Sequence, residues 1–184
     1  MVGAILTQNT SWANVKKAII NLKRAGMLNP DTILRNRKRL PSLIRPSGYY
    51  NIKAKRLKTF VRFLVKEYGS IGKMARQETS RLREELLSIP GIGRETADSI
   101  LLYALNKKVF VVDAYTRRIL YRHRMIKGNE SYDDLRNMVE RSFNRDIEHY
   151  KEFHALLVMA GKEYCRKNDP ICSDCPLADL RHLS

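Results

Sequence analysis

Residues 86–100 read LLSIPGIGRETADSI, and their pattern sets the architecture of the chain. Leu86 and Ile89 are apolar at helical spacing, Gly91-Ile92-Gly93 follows, and Ala97 and Ile100 resume the helical spacing. The pattern predicts a short helix, a hairpin and a second helix. Pro90 disfavours the α conformation at Ile89 and so ends the first helix. The two glycines permit a tight turn and leave the backbone bare enough to touch a ligand. Amides at the start of the second helix then face outward beside the positive end of its dipole, which suits a phosphate oxygen. Ala97 lets the two helices approach closely. A plain glycine-capped αα-turn would share Gly-x-Gly but not the full set of apolar offsets. The stretch therefore reads as a helix-hairpin-helix, which grips a nucleic-acid backbone without reading its sequence.

Charge agrees with that reading. Lysine and arginine number 35 against 19 acidic residues, a formal net charge of +16. An excess of that size points to a polyanion, either nucleic acid or a membrane surface. No apolar run approaches the length of a membrane span and no signal peptide is visible, so nucleic acid is the preferred partner and the cytoplasm the expected location. At 184 residues the chain forms one domain or two small, closely packed ones. It is long enough to bury a core without covalent staples. Three cysteines, Cys165, Cys172 and Cys175, form an odd and crowded set, which favours a metal site over a disulfide framework.

Taken from its start, the chain opens on apolar Val2 to Leu6, as though a preceding helix were absent. A polar loop over 7–11 offers Thr10 or Ser11 as the N-cap of a helix over 12–25, which Gly26 ends. Asn29-Pro30-Asp31 starts another helix, and Leu40-Pro41-Ser42 interrupts the chain again. The turn at Pro46-Ser47-Gly48 feeds a long basic helix reaching about Tyr68, with Leu57, Phe60, Val61, Leu64 and Val65 as its core stripe. Residues 69–72 read as a loop, and helices over 79–88 and 94–105 flank the hairpin. Val109 to Val112 is a short, buried, extended run. Helices are expected from Asp113 through Arg122, over 132–144 and over 147–164, followed by a loop-like tail holding the cysteines. No strand pairs or internal repeats are visible, so the fold class is all-α.

Asp113 is the sharpest candidate for chemistry. It stands directly before a helix, where an aspartate is an ordinary N-cap. A carboxylate accepting amides there stays ionised, because the hydrogen bonds and the dipole both favour the anion. So fixed, it could stabilise a sugar cation or orient a water.

With these residues in place the chain resembles the endonuclease III superfamily of base-excision DNA glycosylases. The resemblance rests on Ile89 to Ala97, on Val111-Val112-Asp113, on Leu6-Thr7-Gln8-Asn9-Thr10, on Gly48-Tyr49-Tyr50-Asn51-Ile52-Lys53-Ala54, and on the three cysteines, which together span nearly the whole chain. It implies a six-helix barrel lobe over 1–108 containing the helix-hairpin-helix at 82–105. A smaller helical lobe over 109–184 would carry an iron–sulfur-type loop at 165–181. Asp113 matches the family's catalytic aspartate, Gln8 the residue that fills the gap left in the duplex, and Tyr49 the position of an apolar wedge. Extruding a base costs a few kcal/mol of stacking, which such inserted side chains partly recover. Either residue could instead be structural, Gln8 as a cap and Tyr49 as a turn residue. Gly91, Gly93 and Arg94 would meet the DNA backbone, with a monovalent cation at the hairpin. Lys53, Lys55 and Arg56 are candidate phosphate contacts, although a solvated helix face is the more ordinary role for any one of them.

Two departures matter. Bifunctional members carry a Schiff-base lysine where this chain has Glu95, and a carboxylate cannot form an imine with the sugar C1′. The resemblance therefore implies a monofunctional enzyme in which water attacks; the alternatives are a bifunctional glycosylase/AP lyase and a non-catalytic DNA-binding module. The family's cluster spacing is met by Cys165, Cys172 and Cys175, but Arg181 stands in place of the fourth cysteine. A [4Fe-4S] cluster is the expected cofactor; His182 as a recruited ligand, a smaller cluster, zinc or an empty loop are the alternatives. Within the superfamily the motifs look most like the 3-methyladenine glycosylase branch, in which an aromatic at the position of Trp12 helps sandwich the base. A cationic methylated purine is attracted to an electron-rich ring face, and its charge makes it a good leaving group. A monomer acting on a damaged base in duplex DNA completes the expectation.

Overall fold

Local signals start most of the helices. In a computed structural model of the chain, which describes residues 1–180, Ser11, Asn29, Ser70, Glu78, Asp113, Ser131 and Asp146 each precede a helix. Each accepts a backbone N–H from its first turn. The helices are α1 (Val2–Leu6), α2 (Trp12–Arg24), α3 (Pro30–Arg35), α4 (Leu40–Leu43), α5 (Tyr50–Phe63), α6 (Ile71–Ala75), α7 (Thr79–Ser88), α8 (Arg94–Ser99), α9 (Ala114–Arg122), α10 (Tyr132–Ser142) and α11 (Ile147–Glu163). Single π turns extend α5 through Tyr68 and α8 through Ala104. Among the described residues there is no strand. Residues 69–72, expected to form a loop, instead enter α6, because Ser70 caps it and Met74 is buried. Arg181 and His182 lie outside the described residues.

The chain divides into two compact units, Met1–Asn106 and the part from Lys107 onward. The first is built around α5. Its Ala54, Leu57, Phe60 and Val61 are buried with Ile5, Leu6, Val15, Leu22, Leu40 and Ile44, at the three-and-four spacing of one helix face. Beside this core, α7 and α8 form the two arms of the hairpin. They are joined by an ion pair invisible in the sequence: Arg83 Nε and Nη2 donate to Asp98 Oδ1 and Oδ2 at 2.7 and 3.1 Å, and Asp98 is fully buried. Fork-on-fork geometry fixes the angle between the arms.

In the second unit α9 packs on α11. Gly161 makes the approach possible, since a Cβ there would lie 2.5 Å from the Tyr115 ring. Arg118 reinforces the contact by donating to the Gly161 and Cys165 carbonyls at the end of α11. The run Val109 to Val112 is buried as expected, with its amides held from α10: Phe110 N–H donates to Glu140 and Val112 N–H to the Tyr132 hydroxyl.

Removing one member of a buried ion pair strands the other charge. Asp98→Ala should therefore destabilise the protein by about 3–5 kcal/mol. Chemical denaturation read by circular dichroism measures the loss.

Candidate functional site

The hairpin places the motif residues on its surface. Gly91, Gly93, Arg94 and Glu95 are exposed, while Ile89, Ile92, Thr96 and Ala97 are buried and anchor the turn. Gly91 adopts φ +89°, and a Cβ there would fall 2.6 Å from the Arg56 side chain. Gly93 differs: it is the N-cap of α8 at φ −90°, and a Cβ would meet nothing within 4 Å. The first glycine is demanded by the fold, whereas the second leaves open space at the amides of the helix start.

Gln8 serves this turn. Its side-chain amide donates to the Gly91 carbonyl at 2.9 Å and to Thr96 Oγ1 at 3.0 Å. Its oxygen accepts from Arg56 Nη1 at 2.5 Å. The residue expected in the duplex is thus bonded on every side to protein, and it can reach DNA only by exchanging these bonds. Arg56, expected as a phosphate contact, instead lies half-buried beneath the hairpin.

Lys53 requires a correction. It is buried rather than lying on a solvated face, and its ammonium donates to the Leu6 carbonyl at 2.9 Å and the Ser47 carbonyl at 2.5 Å. Burial, with the neighbouring Arg56 charge, lowers its pKa. The side chain ties the end of α1 to the turn before α5 and offers nothing to a phosphate; Lys55, two residues on, is exposed. Counting cations in the sequence missed this because helix register, not residue type, decided which lysine turned inward.

Tyr49 stands just before α5 in the left-handed region, at φ 43°, with 68% of its surface exposed. That conformation is unfavourable for a bulky side chain. Trp12 opens α2 half-exposed, with the edge of its ring against Gly3 of α1.

In the second unit Asp113 is the N-cap of α9, its Oδ1 accepting the Thr116 N–H at 2.7 Å. Burial pushes its carboxyl up, but the His154 imidazole and the Thr116 amide oppose this more strongly, leaving it below the usual aspartate value. His154 Nε2 lies 3.6 Å from Oδ2. Nothing in the sequence singled out this histidine, which is 41 residues away and is brought in by the packing of α11 on α9.

The three cysteines line one pocket with Arg122, His123, Tyr164, Ile171, Leu177 and Ala178. Arg122 Nη1 donates to Cys165 Sγ at 3.3 Å, and Leu177 N–H to Cys175 Sγ at 3.5 Å. Among the described residues no three ligating side chains converge as for a single metal ion.

Comparison with known proteins bears on these features. The family model described as HhH-GPD superfamily base excision DNA repair protein matches residues 2–145. A protein of Methanocaldococcus jannaschii, provisionally named as a DNA repair glycosylase, is 50% identical over 183 residues, 98% of this chain and 83% of its own length. The solved Helicobacter pylori 3-methyladenine DNA glycosylase bound to 1,N6-ethenoadenine is 34% identical, with a TM-score of 0.78 over 88% of this chain and 83% of that one. An endonuclease III–DNA complex superposes with a TM-score of 0.81 over 98% of this chain and 80% of that one; at 22% identity it speaks for the fold. The chain belongs to the HhH-GPD superfamily of base excision DNA repair proteins. It is a DNA glycosylase, an enzyme that acts on DNA.

The two hairpin glycines should separate in their effects. Gly91→Ala should lower stability by about 1–3 kcal/mol through strain and the clash with Arg56. Gly93→Ala should keep the melting temperature and weaken duplex binding, which thermal melts and fluorescence anisotropy together resolve.

Proposed function

We propose that this glycosylase is monofunctional and releases an alkylated purine from double-stranded DNA, working as a monomer. The observation that carries the first part is Glu95, exposed in the first turn of α8, where the bifunctional enzymes carry the lysine that attacks the sugar. Lys53 supports it further, because its ammonium is enclosed and held by two carbonyls. Water is then the nucleophile. Asp113, ionised at the start of α9, stabilises the cationic sugar as the base departs and orients that water. The hairpin amides at Gly91 and Gly93, with Arg94, hold the backbone, and a monovalent cation at the hairpin carbonyls adds to that grip. Tyr49 enters the distorted duplex, Gln8 follows once DNA replaces its protein partners, and Trp12 faces the extruded base.

The purine assignment leans on the 34% identity to the 3-methyladenine enzyme and on the exposed Trp12 ring. A purine methylated at N3 or N7 is cationic, stacks well on such a ring and leaves without strong acid assistance. The cysteine loop belongs to the same proposal. Cys165, Cys172 and Cys175 would supply three thiolates to a [4Fe-4S] cluster. When bound, the cluster would hold the loop and take no part in breaking the glycosidic bond.

Borohydride trapping on an abasic duplex tests the nucleophile. No covalent adduct is expected, and an adduct would overturn the monofunctional reading. A panel of lesion duplexes scored for free-base release should show the highest rate on alkylated purines, with Asp113→Asn slower by roughly 10²-fold or more. For the loop, anaerobically purified protein should show visible absorption with bound iron and sulfide, lost in Cys172→Ser; colourless, iron-free protein would remove the cluster from the proposal.

A further inference from the structure

We propose that His154 is the positioning residue for Asp113: from α11 it holds the carboxylate in its orientation and in its ionised form. This rests on the reading of Asp113 as the catalytic carboxylate and extends it to a second residue. Both side chains are 12% exposed, and Nε2 lies 3.6 Å from Oδ2, too long for a good hydrogen bond but well within reach of the charge.

The two oxygens of Asp113 have different neighbours. Oδ1 is committed to the Thr116 N–H, which fixes one end of the carboxylate. Oδ2 faces the imidazole at 3.6 Å, so His154 bounds the other end of the carboxylate. Thr116 from α9 and His154 from α11 are the groups that act on its charge. The polar groups of α10, Tyr132 and Glu140, are directed to the Val112 and Phe110 amides just upstream.

The imidazole is itself held. The Phe110 ring packs edge-on against it, with centroids 6.2 Å apart and planes at 82°. Its backbone is set by the α9–α11 contact: His154 and Gly161 are seven residues apart, on one face of α11, and Gly161 is where Tyr115 of α9 lies against the helix. The packing that needs a glycine at 161 therefore also delivers the histidine to the aspartate two turns earlier. A histidine whose only task was to fill space would not need to present a ring nitrogen to a buried carboxylate.

The test compares His154→Leu, His154→Gln and Asp113→Asn with the parent protein. Two readouts are used: the pH profile of single-turnover base release from a 1,N6-ethenoadenine or 3-methyladenine duplex, and the titration of the Asp113 carboxyl by carbon NMR. Asp113 must be ionised to act, so activity falls as pH drops through its pKa. Removing a group that favours the anion moves that acidic limb to higher pH. His154→Leu should show this displacement, the matching upward shift in the NMR titration, and a rate at neutral pH lower by roughly tenfold. His154→Gln, which keeps a donor near the same place, should recover part of the rate. An unmoved carboxyl titration in His154→Leu overturns the proposal, as does a loss of rate that is uniform across pH and tracks the melting temperature. Full activity in Asp113→Asn defeats the reading beneath and the role of His154 with it, whereas an inactive Asp113→Asn beside an unmoved titration in His154→Leu defeats His154 alone.

Discussion

One side-chain amide holds the hairpin turn together. Gln8 offers two protons and an acceptor, and the first unit uses all of them: Gly91 and Thr96 of the hairpin take the protons, and Arg56 of α5 fills the oxygen. Three separate stretches of chain meet at this residue. A saturated amide in a half-buried setting resists rearrangement, because losing any partner leaves a polar group short of bonds. The hairpin is accordingly tied to α5 and to the loop after α1, with α8 starting at Gly93.

Lys53 does for the turn at the start of α5 what Gln8 does for the hairpin. Its ammonium bonds two carbonyls that would otherwise be buried without donors, at the end of α1 and in the turn before α5. The turn it secures is the one that carries Tyr49 in its left-handed conformation. In both cases a polar side chain expected to meet DNA is drafted inward to fix loop geometry, and the surface left outside is shaped by what those loops then present.

The second unit solves a different problem, that of keeping a carboxylate charged while covering most of it. The α9 amide at Thr116 and the imidazole at His154 outweigh the effect of burial. Backbone and side chain divide the two oxygens between them. An anion held this way needs no reorganisation when positive charge develops beside it, the condition under which electrostatic stabilisation is most effective.

Much was legible from residue order alone. Glycine, proline and capping side chains act over a few residues, so the helix-hairpin-helix, the start of α9 at Asp113, the absence of strands among the described residues and the buried run 109–112 could be read directly. The family and its activity followed because those local signals occur together in one order. The inward turn of Lys53, the bonding of Gln8 to the hairpin, the Arg83–Asp98 pair and the approach of His154 to Asp113 were decided only by the tertiary structure. Each joins residues 6 to 88 positions apart, through the register of one helix face against another, and a side chain's type does not reveal which face will be covered.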